Sequence, residues 1–185
     1  MTALYVAIGV VAFLLLALAF SYNRFVSGRN LIRDSWANID TELRRRYDLI
    51  PNLVETVKGY ARHEREIFER VTMARTAAIG ATGPAAEQAT AEAPLVQALR
   101  GLFAVAEAYP DLKASHNFLA LQEELATTED RLAAARRFYN ANVRDFNRRV
   151  QSIPSNVVAR VFGFREAQFF EVEETVRRAP SVDQT

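Results

Sequence analysis

The segment that decides the fold occupies residues 3–20 and reads ALYVAIGVVAFLLLALAF. It contains only apolar residues and one glycine, and no charged side chain occurs between residues 2 and 23. As a helix, these 18 residues rise about 27 Å, which nearly matches the ~30 Å hydrocarbon core of a bilayer. A helix in the core of a soluble protein would show a polar stripe over this length. The segment therefore predicts a membrane-spanning helix that contacts the lipid bilayer through residues 3–20.

Two interpretations of this segment are open, an uncleaved anchor and a cleaved secretory signal. The tripeptide Ala17-Leu18-Ala19 resembles a small-x-small cleavage site. A secretory signal also carries Lys or Arg before its apolar run, and none precedes this one. We therefore favour the uncleaved anchor.

Basic residues follow the apolar segment closely. Arg24, Arg29 and Arg33 lie within a few turns of it, whereas only the α-amino group lies on the N-terminal side. Because basic residues stay in the cytoplasm, we expect a short N-terminus outside and the soluble body inside. Tyr22 and Arg24 directly follow the apolar segment. At this position an aromatic ring lies at the membrane interface and a long cationic side chain reaches the lipid headgroups. We predict that Tyr22, Arg24, Arg29 and Arg33 form the membrane interface.

The rest of the chain has the apolar periodicity of long helices. Apolar or small residues recur every three or four positions at Ile32, Trp36, Ile39, Leu43, Tyr47, Ile50, Val54, Val57, Ala61, Phe68 and Val71. Similar stripes cover residues 95–109 and 118–150. Each helix has one apolar face and needs a neighbour to cover it. The sequence predicts an all-α fold, an elongated antiparallel bundle of three to four long helices with an N-terminal transmembrane helix.

Pro51 leaves the path of the first long helix open. The apolar phase continues across Pro51, which favours a kinked helix. The alternative is a break at residues 48–52 that produces a hairpin. A continuous helix places the C-terminal aromatic residues far from the bilayer, whereas a hairpin returns them toward it. Further along, Gly80, Gly83 and Pro84 mark a loop.

The last part of the chain differs in composition. We expect three segments: an anchor at 1–23, a helical bundle at 24–153, and an aromatic-rich segment with a polar tail at 154–185. Phe162, Phe164, Phe169 and Phe170 exceed what a solvated tail should carry. They could fold back on the bundle, or contact another protomer, a partner or the membrane surface. We predict these four residues as a surface for self-association or partner binding.

Composition argues against several classes of function. The net charge of +1 does not suit a nucleic-acid partner, which needs a basic face. The chain has no Cys and two His, and neither His belongs to the Glu-x-x-His motif of di-iron bundles. We expect no enzymatic activity, no cofactor and no metal. We interpret the run Arg44-Arg45-Arg46 as surface residues that form ion pairs, because successive helix positions point in different directions.

Several motifs in this order resemble the LemA family. They are YNR at 22–24, WANID at 36–40, DLIPNLVETVKGY at 48–60, EAYPDLK at 107–113, LQEEL at 121–125, ARRFYN at 135–140, PSN at 154–156 and FGF at 162–164. The resemblance runs from about residue 22 to residue 174. The Ala-rich loop after Ile79 is the one visible departure.

The resemblance implies a protein of the bacterial inner membrane with a single N-terminal anchor, a helical body and no established catalytic or cofactor-binding residues. It also implies a link to membrane organisation, including magnetosome membranes, and to genes of membrane metalloproteases. Two functions follow as hypotheses. One is a non-enzymatic scaffold that binds copies of itself or other membrane proteins. The other is an accessory or regulatory subunit of a membrane enzyme such as a metalloprotease.

Overall fold

All of the secondary structure in residues 1–171, the part that the computed structural model describes, is helical. The helices are α1 (Thr2–Tyr60), α2 (Arg65–Gly80), α3 (Ala85–Glu107), α4 (Pro110–Lys113), α5 (His116–Gln151) and α6 (Ser155–Phe162). The predicted all-α class is confirmed for these residues. The polar tail predicted at the end of the chain, residues 172–185, lies outside the described residues.

Helix α1 continues through Pro51, so the hairpin alternative does not occur. A proline inside a helix has no N–H to offer the carbonyl four residues earlier. Here that carbonyl belongs to Tyr47, and it accepts a hydrogen bond of 2.7 Å from Arg75 Nε on α2. The contact supplies the donor that Pro51 removes, which explains how the helix tolerates the proline.

The first apolar stripe does not form one helix to Val71, and this part of the prediction is wrong. Helix α1 ends at Tyr60, and α2 begins after a short turn. Helix α2 then returns along α1, because Phe68 lies near Val54 whereas Arg75 reaches Tyr47. Apolar faces of two antiparallel helices point at the same core, so periodicity alone does not reveal the reversal.

Helix α3 begins just after the loop that Gly80, Gly83 and Pro84 predicted. Its Ala-rich first half is helical, and Pro94 lies inside the helix. The chain breaks between α3 and α4 at residues 108–109, where the predicted stripe over residues 95–109 ends, and α5 spans 36 residues.

The chain packs as two compact units. The first contains Met1–Asp40 with Ala133–Ala167, and the second contains Thr41–Leu132 with residues 168–171. The core of the first unit is formed by Phe25, Phe146, Val158 and Ala159. Buried side chains of the second include Ile50, Leu53, Val57, Val71, Leu95, Leu99, Leu102, Leu112, Leu125 and Leu132.

Within the first unit, α5 runs antiparallel to α1. Trp36 contacts Tyr139, whereas Phe25, which lies nearer the N-terminus, contacts Phe146. The chain that follows α5 therefore returns to the region where the apolar segment ends. A continuous α1 therefore does not separate Phe164 from the end of the apolar segment, because the Phe164 ring lies 5.7 Å from the Tyr22 ring.

Candidate membrane-interface site

The apolar N-terminal part of α1 is exposed along its whole length. Every residue from 1 to 20 is exposed, and Phe13 and Leu16 show 69% and 71% of their surface. Helix α1 is the one helix in residues 1–171 that is long and apolar enough to cross a membrane. An apolar surface of this extent needs lipid or a partner to cover it.

Aromatic rings gather where the apolar segment ends. The Tyr22 ring lies 4.8 Å from the Phe162 ring and 5.7 Å from the Phe164 ring, measured between centroids. Phe25 stacks on Phe164 at 4.8 Å and meets Phe146 edge-on at 5.9 Å. Aromatic pairs of this kind contribute about 0.5–1.5 kcal/mol each beyond the burial of their area. We call Tyr22, Phe25, Phe146, Phe162 and Phe164 the aromatic cluster.

Of the predicted interfacial cations, Arg29 contacts this cluster. Arg24, Arg29 and Arg33 are exposed. The Arg29 guanidinium lies 5.7 Å from the centroid of the Phe164 ring. The backbone carbonyl of Arg24 accepts a hydrogen bond of 3.3 Å from Arg149 Nη1 on α5. The structure thus brings Tyr22, Arg24 and Arg29 together, and Arg33 follows farther along α1.

The four phenylalanines predicted as a binding surface differ in their exposure. Phe162 shows 45% of its surface, whereas Phe170 shows 3%. Phe164 and Phe169 are half-buried, and Phe164 is held inside the aromatic cluster. Phe162 and Phe169 are therefore the members of the set with surface available to a partner.

Asn147 fastens the extended segment that follows α6. Its side-chain amide donates to the carbonyl of Ala167 at 2.9 Å, and its Oδ1 accepts from the N–H of Ala167 at 2.8 Å. Asn147 is 7% exposed. This pair of hydrogen bonds satisfies both backbone groups of Ala167 and holds the segment against α5.

Another ring pair, in which Tyr139 is buried and Trp36 is half-buried, lies farther along the first unit. Trp36 and Tyr139 meet edge-on at 5.6 Å. Burial raises the pKa of the Tyr139 hydroxyl above its ordinary value. The fold therefore favours the neutral form of this hydroxyl. Its contribution to the free energy of unfolding is constant while the pH is below the ordinary pKa and falls as the pH rises above that pKa.

Gly163 ends α6 in a left-handed conformation with φ 72°. The turn lets the N–H of Phe164 donate to the carbonyl of Ala159 at 2.9 Å, which directs the Phe164 ring into the aromatic cluster. A side chain other than glycine costs about 1 kcal/mol in this conformation.

We expect Gly163→Ala to destabilise α6 by about 1 kcal/mol and to speed hydrogen exchange of its amides about fivefold. The measurement is amide exchange on the full chain in mild detergent. Gly59→Ala is the matched control, because Gly59 lies inside α1 with open space around an added Cβ, and it should stabilise its helix slightly. Unchanged exchange in the Gly163 variant would contradict the assignment.

The second unit contains a buried ion pair that the sequence analysis did not foresee. Arg46 is 0% exposed and Glu92 is 1% exposed, and their side chains form a salt bridge. Arg46 Nη1 also lies 2.9 Å from Glu129 Oε1. The interpretation of Arg46 as a surface residue is therefore wrong, whereas its neighbour Arg45 pairs with the half-exposed Glu124 at 3.1 Å.

Polar side chains complete the surroundings of Glu92. The Tyr47 hydroxyl donates to Glu92 Oε1. Gln88 Nε2 lies 3.1 Å from that carboxylate oxygen, 3.1 Å from the Tyr47 hydroxyl and 3.1 Å from the carbonyl of Ala78. Buried charges need this degree of pairing to be tolerated. The network joins α1, α2 and α3 at fixed positions.

Within residues 1–171, no group of three or more His, Asp or Glu side chains is placed to hold a metal ion. Two carboxylates of the second unit pair with arginines, Glu92 with Arg46 and Glu124 with Arg45.

Comparison with known proteins gives a family and several relatives. The model of the LemA family matches residues 35–183. Magnetosome protein MamQ 2 of Paramagnetospirillum magneticum is 28% identical over 189 residues, which cover 89% of this chain and 69% of the relative. Magnetosome protein MamQ of Magnetospirillum gryphiswaldense is 25% identical over 178 residues, which cover 83% and 65%. Protein LemA of Metamycoplasma hominis is 25% identical over 160 residues, which cover 84% and 71%.

Proposed function

The chain belongs to the LemA family, as its motifs predicted, and from that premise we propose that it is a membrane-anchored, non-enzymatic scaffold. In this proposal residues 3–20 span the bilayer, and the helical body organises other membrane-associated molecules. The observation that carries it is the exposed, uncharged segment of α1, which continues without a break into the helix that builds the body. Relatives named as magnetosome proteins support a role at a membrane.

The proposed orientation places the N-terminus outside the cell and the body in the cytoplasm. It follows from the exposed arginines Arg24, Arg29 and Arg33 after the apolar segment. The relatives named as magnetosome proteins support association with a bacterial membrane, and we propose the inner membrane as the location. The anchor would occupy residues 1–23, the body 24–153, and the aromatic-rich segment with its tail 154–185.

The body is proposed to be an elongated antiparallel bundle. Support comes from the antiparallel course of α1 and α5 in the first unit and of α1 and α2 in the second. A bundle of this kind has long helical surfaces to which partners can bind. Packing between the apolar faces of its helices stabilises it.

We expect the solubilised full chain to form assemblies of two or more copies, with Phe162 contributing to the interface. Phe162→Ser should lower the mass of the particle, because the loss of a large ring from an interface removes buried apolar area. The measurement is light scattering of the full chain in mild detergent. Val157→Ser is the control, since Val157 lies on the same helix and is 60% exposed.

Monomeric wild-type protein, both in detergent and after crosslinking in cells, would overturn self-association. A crosslinked product with one foreign membrane protein would instead favour an accessory subunit of a membrane enzyme. An equal drop in mass for both serine variants would show that the whole exposed side of α6 is a protein interface. These outcomes separate the two hypotheses that the sequence leaves open.

A further inference from the structure

The apolar arc of helix α6 is wider than the side that the helix buries, and Asn156 and Arg160 lie on its polar side. Its inner side places Val158 and Ala159 in the core of the first unit. Its outer side carries Val157 and Val161, which are 60% and 68% exposed, and Ile153 just before the helix is 85% exposed. Val157 and Val161 are four positions apart on α6 and so share one face, and Ile153 adds exposed apolar surface in the turn before the helix. We call Ile153, Val157 and Val161 the outer stripe.

The position of α6 along α1 indicates what covers this stripe. The last residue of α6, Phe162, packs its ring 4.8 Å from the ring of Tyr22. Tyr22 comes two positions after residue 20, the end of the apolar segment. If residues 3–20 lie in the hydrocarbon core, Tyr22 lies at the headgroups, and the C-terminal end of α6 lies beside it at the same depth.

The charges around α6 fit an anionic lipid surface. Arg160 on α6 and Arg165 after it are exposed, and no acidic residue occurs from 146 to 165. Arg24 and Arg149 lie together through a hydrogen bond of 3.3 Å. Cations next to a membrane attract anionic headgroups. A short helix with apolar residues on one face and arginines around it has the composition of an interfacial helix.

We propose that α6 lies on the cytoplasmic bilayer surface and inserts its outer stripe among the headgroups, as a second membrane contact beside the anchor. The inference rests on the proposed anchoring of residues 3–20 and deepens it. The partner is lipid with anionic headgroups. Phe162 points toward Tyr22 at the edge of this contact, so the stripe and the proposed protein interface use different side chains.

The absence of native Cys allows a direct test with single labelled positions. Val161→Cys carries an environment-sensitive fluorophore in the full chain, reconstituted into nanodiscs of phosphatidylcholine and phosphatidylglycerol that contain lipid quenchers both near the headgroups and in the acyl chains. Leu14→Cys, in the apolar segment, reports on the anchor. Met73→Cys on α2 is the matched aqueous control, because Met73 is 72% exposed. All three substitutions are at exposed positions, so the fold should persist, and far-UV circular dichroism checks this.

We expect several-fold stronger lipid quenching at Val161 than at Met73, and weaker quenching at Val161 when the anionic lipid is omitted. A Val161 label that behaves like the Met73 label, while Leu14 is quenched by lipid, would overturn the inference and leave the anchor intact. Lack of quenching at Leu14 would overturn the anchor itself. A Val161 label shielded from both lipid and water, with crosslinking between Val161→Cys copies, would identify a second copy as the occupant and also overturn the inference.

Discussion

Glu92→Leu should lower the free energy of unfolding by about 3–5 kcal/mol, because it leaves a buried arginine without its partner. Arg46 is 0% exposed and Glu92 is 1% exposed. The second carboxylate near Arg46, that of Glu129, is 41% exposed and already pairs with Nη1. The Glu129 carboxylate cannot replace the buried charge of Glu92 unless it moves into the core. The measurement is urea unfolding of the full chain in mild detergent, followed by circular dichroism.

Two controls separate the buried charge from other effects. Arg45→Met removes the neighbouring arginine, whose partner Glu124 is half-exposed, and should cost at most about 1 kcal/mol. The double variant Arg46→Met with Glu92→Leu removes both buried charges and should recover most of the lost stability, since apolar replacements of a buried pair are often well tolerated. A Glu92→Leu variant no less stable than Arg45→Met would contradict the account.

Two arginines in the centre of the apolar segment should abolish membrane insertion. At the middle of a spanning helix each arginine costs about 2.5–3.5 kcal/mol, so Val11→Arg with Leu14→Arg together cost about 5–7 kcal/mol. Both residues are exposed in the structure, at 56% and 60%, so the change does not disturb a protein core. The measurement is the fraction of protein that stays in the membrane pellet after an alkaline carbonate wash, which removes surface-bound protein.

The same change at exposed positions of α2 gives the control. Met73→Arg with Ile79→Arg adds two arginines at side chains that are 72% and 45% exposed, and this variant should stay in the washed pellet. Retention of the Val11 and Leu14 variant in that pellet would show that another part of the chain spans the membrane.

Periodicity predicted the helical class in residues 1–171 and the approximate ends of α2, α3 and α5, but it did not predict where helices reverse. The turn after Tyr60 preserves the apolar phase, so the stripe reads as continuous although α2 runs back along α1. At Pro51 the reverse holds, since a proline that could end the helix does not end it. The sequence cannot show that Arg75 supplies the missing hydrogen bond to the Tyr47 carbonyl. Both outcomes depend on contacts between residues far apart in the chain.

One half of the buried ion pair between Arg46 and Glu92 could have been predicted from the sequence. Extending the stripe of Leu95 and Leu99 backwards by three and four positions reaches Glu92 and Gln88, which are core positions of α3. Polar residues at core positions predict a buried network. Their partner is not predictable in this way, because Arg46 lies in a run of three arginines whose members face different directions.

The aromatic cluster was predicted in part. The sequence identified Tyr22, Phe162 and Phe164 as unusual, and the structure brings their rings together. Phe25 and Asn147 were missed. Phe25 continues the α1 stripe backwards from Ile32, so periodicity could have found it, whereas the bonds of Asn147 to the Ala167 backbone depend on tertiary packing. The proposed membrane contact of the exposed stripe of α6 can be inferred only from the position of α6 beside Tyr22 in the structure.

The central claim is that residues 3–20 remain in the protein and span the bilayer. The most direct test is the intact mass of the unmodified chain, measured in the pellet and in the supernatant of carbonate-washed membranes. The account predicts a pellet species of the full 185 residues, near 20.8 kDa. A soluble species shorter by about 20 residues, as a cleaved secretory signal would leave, would contradict it.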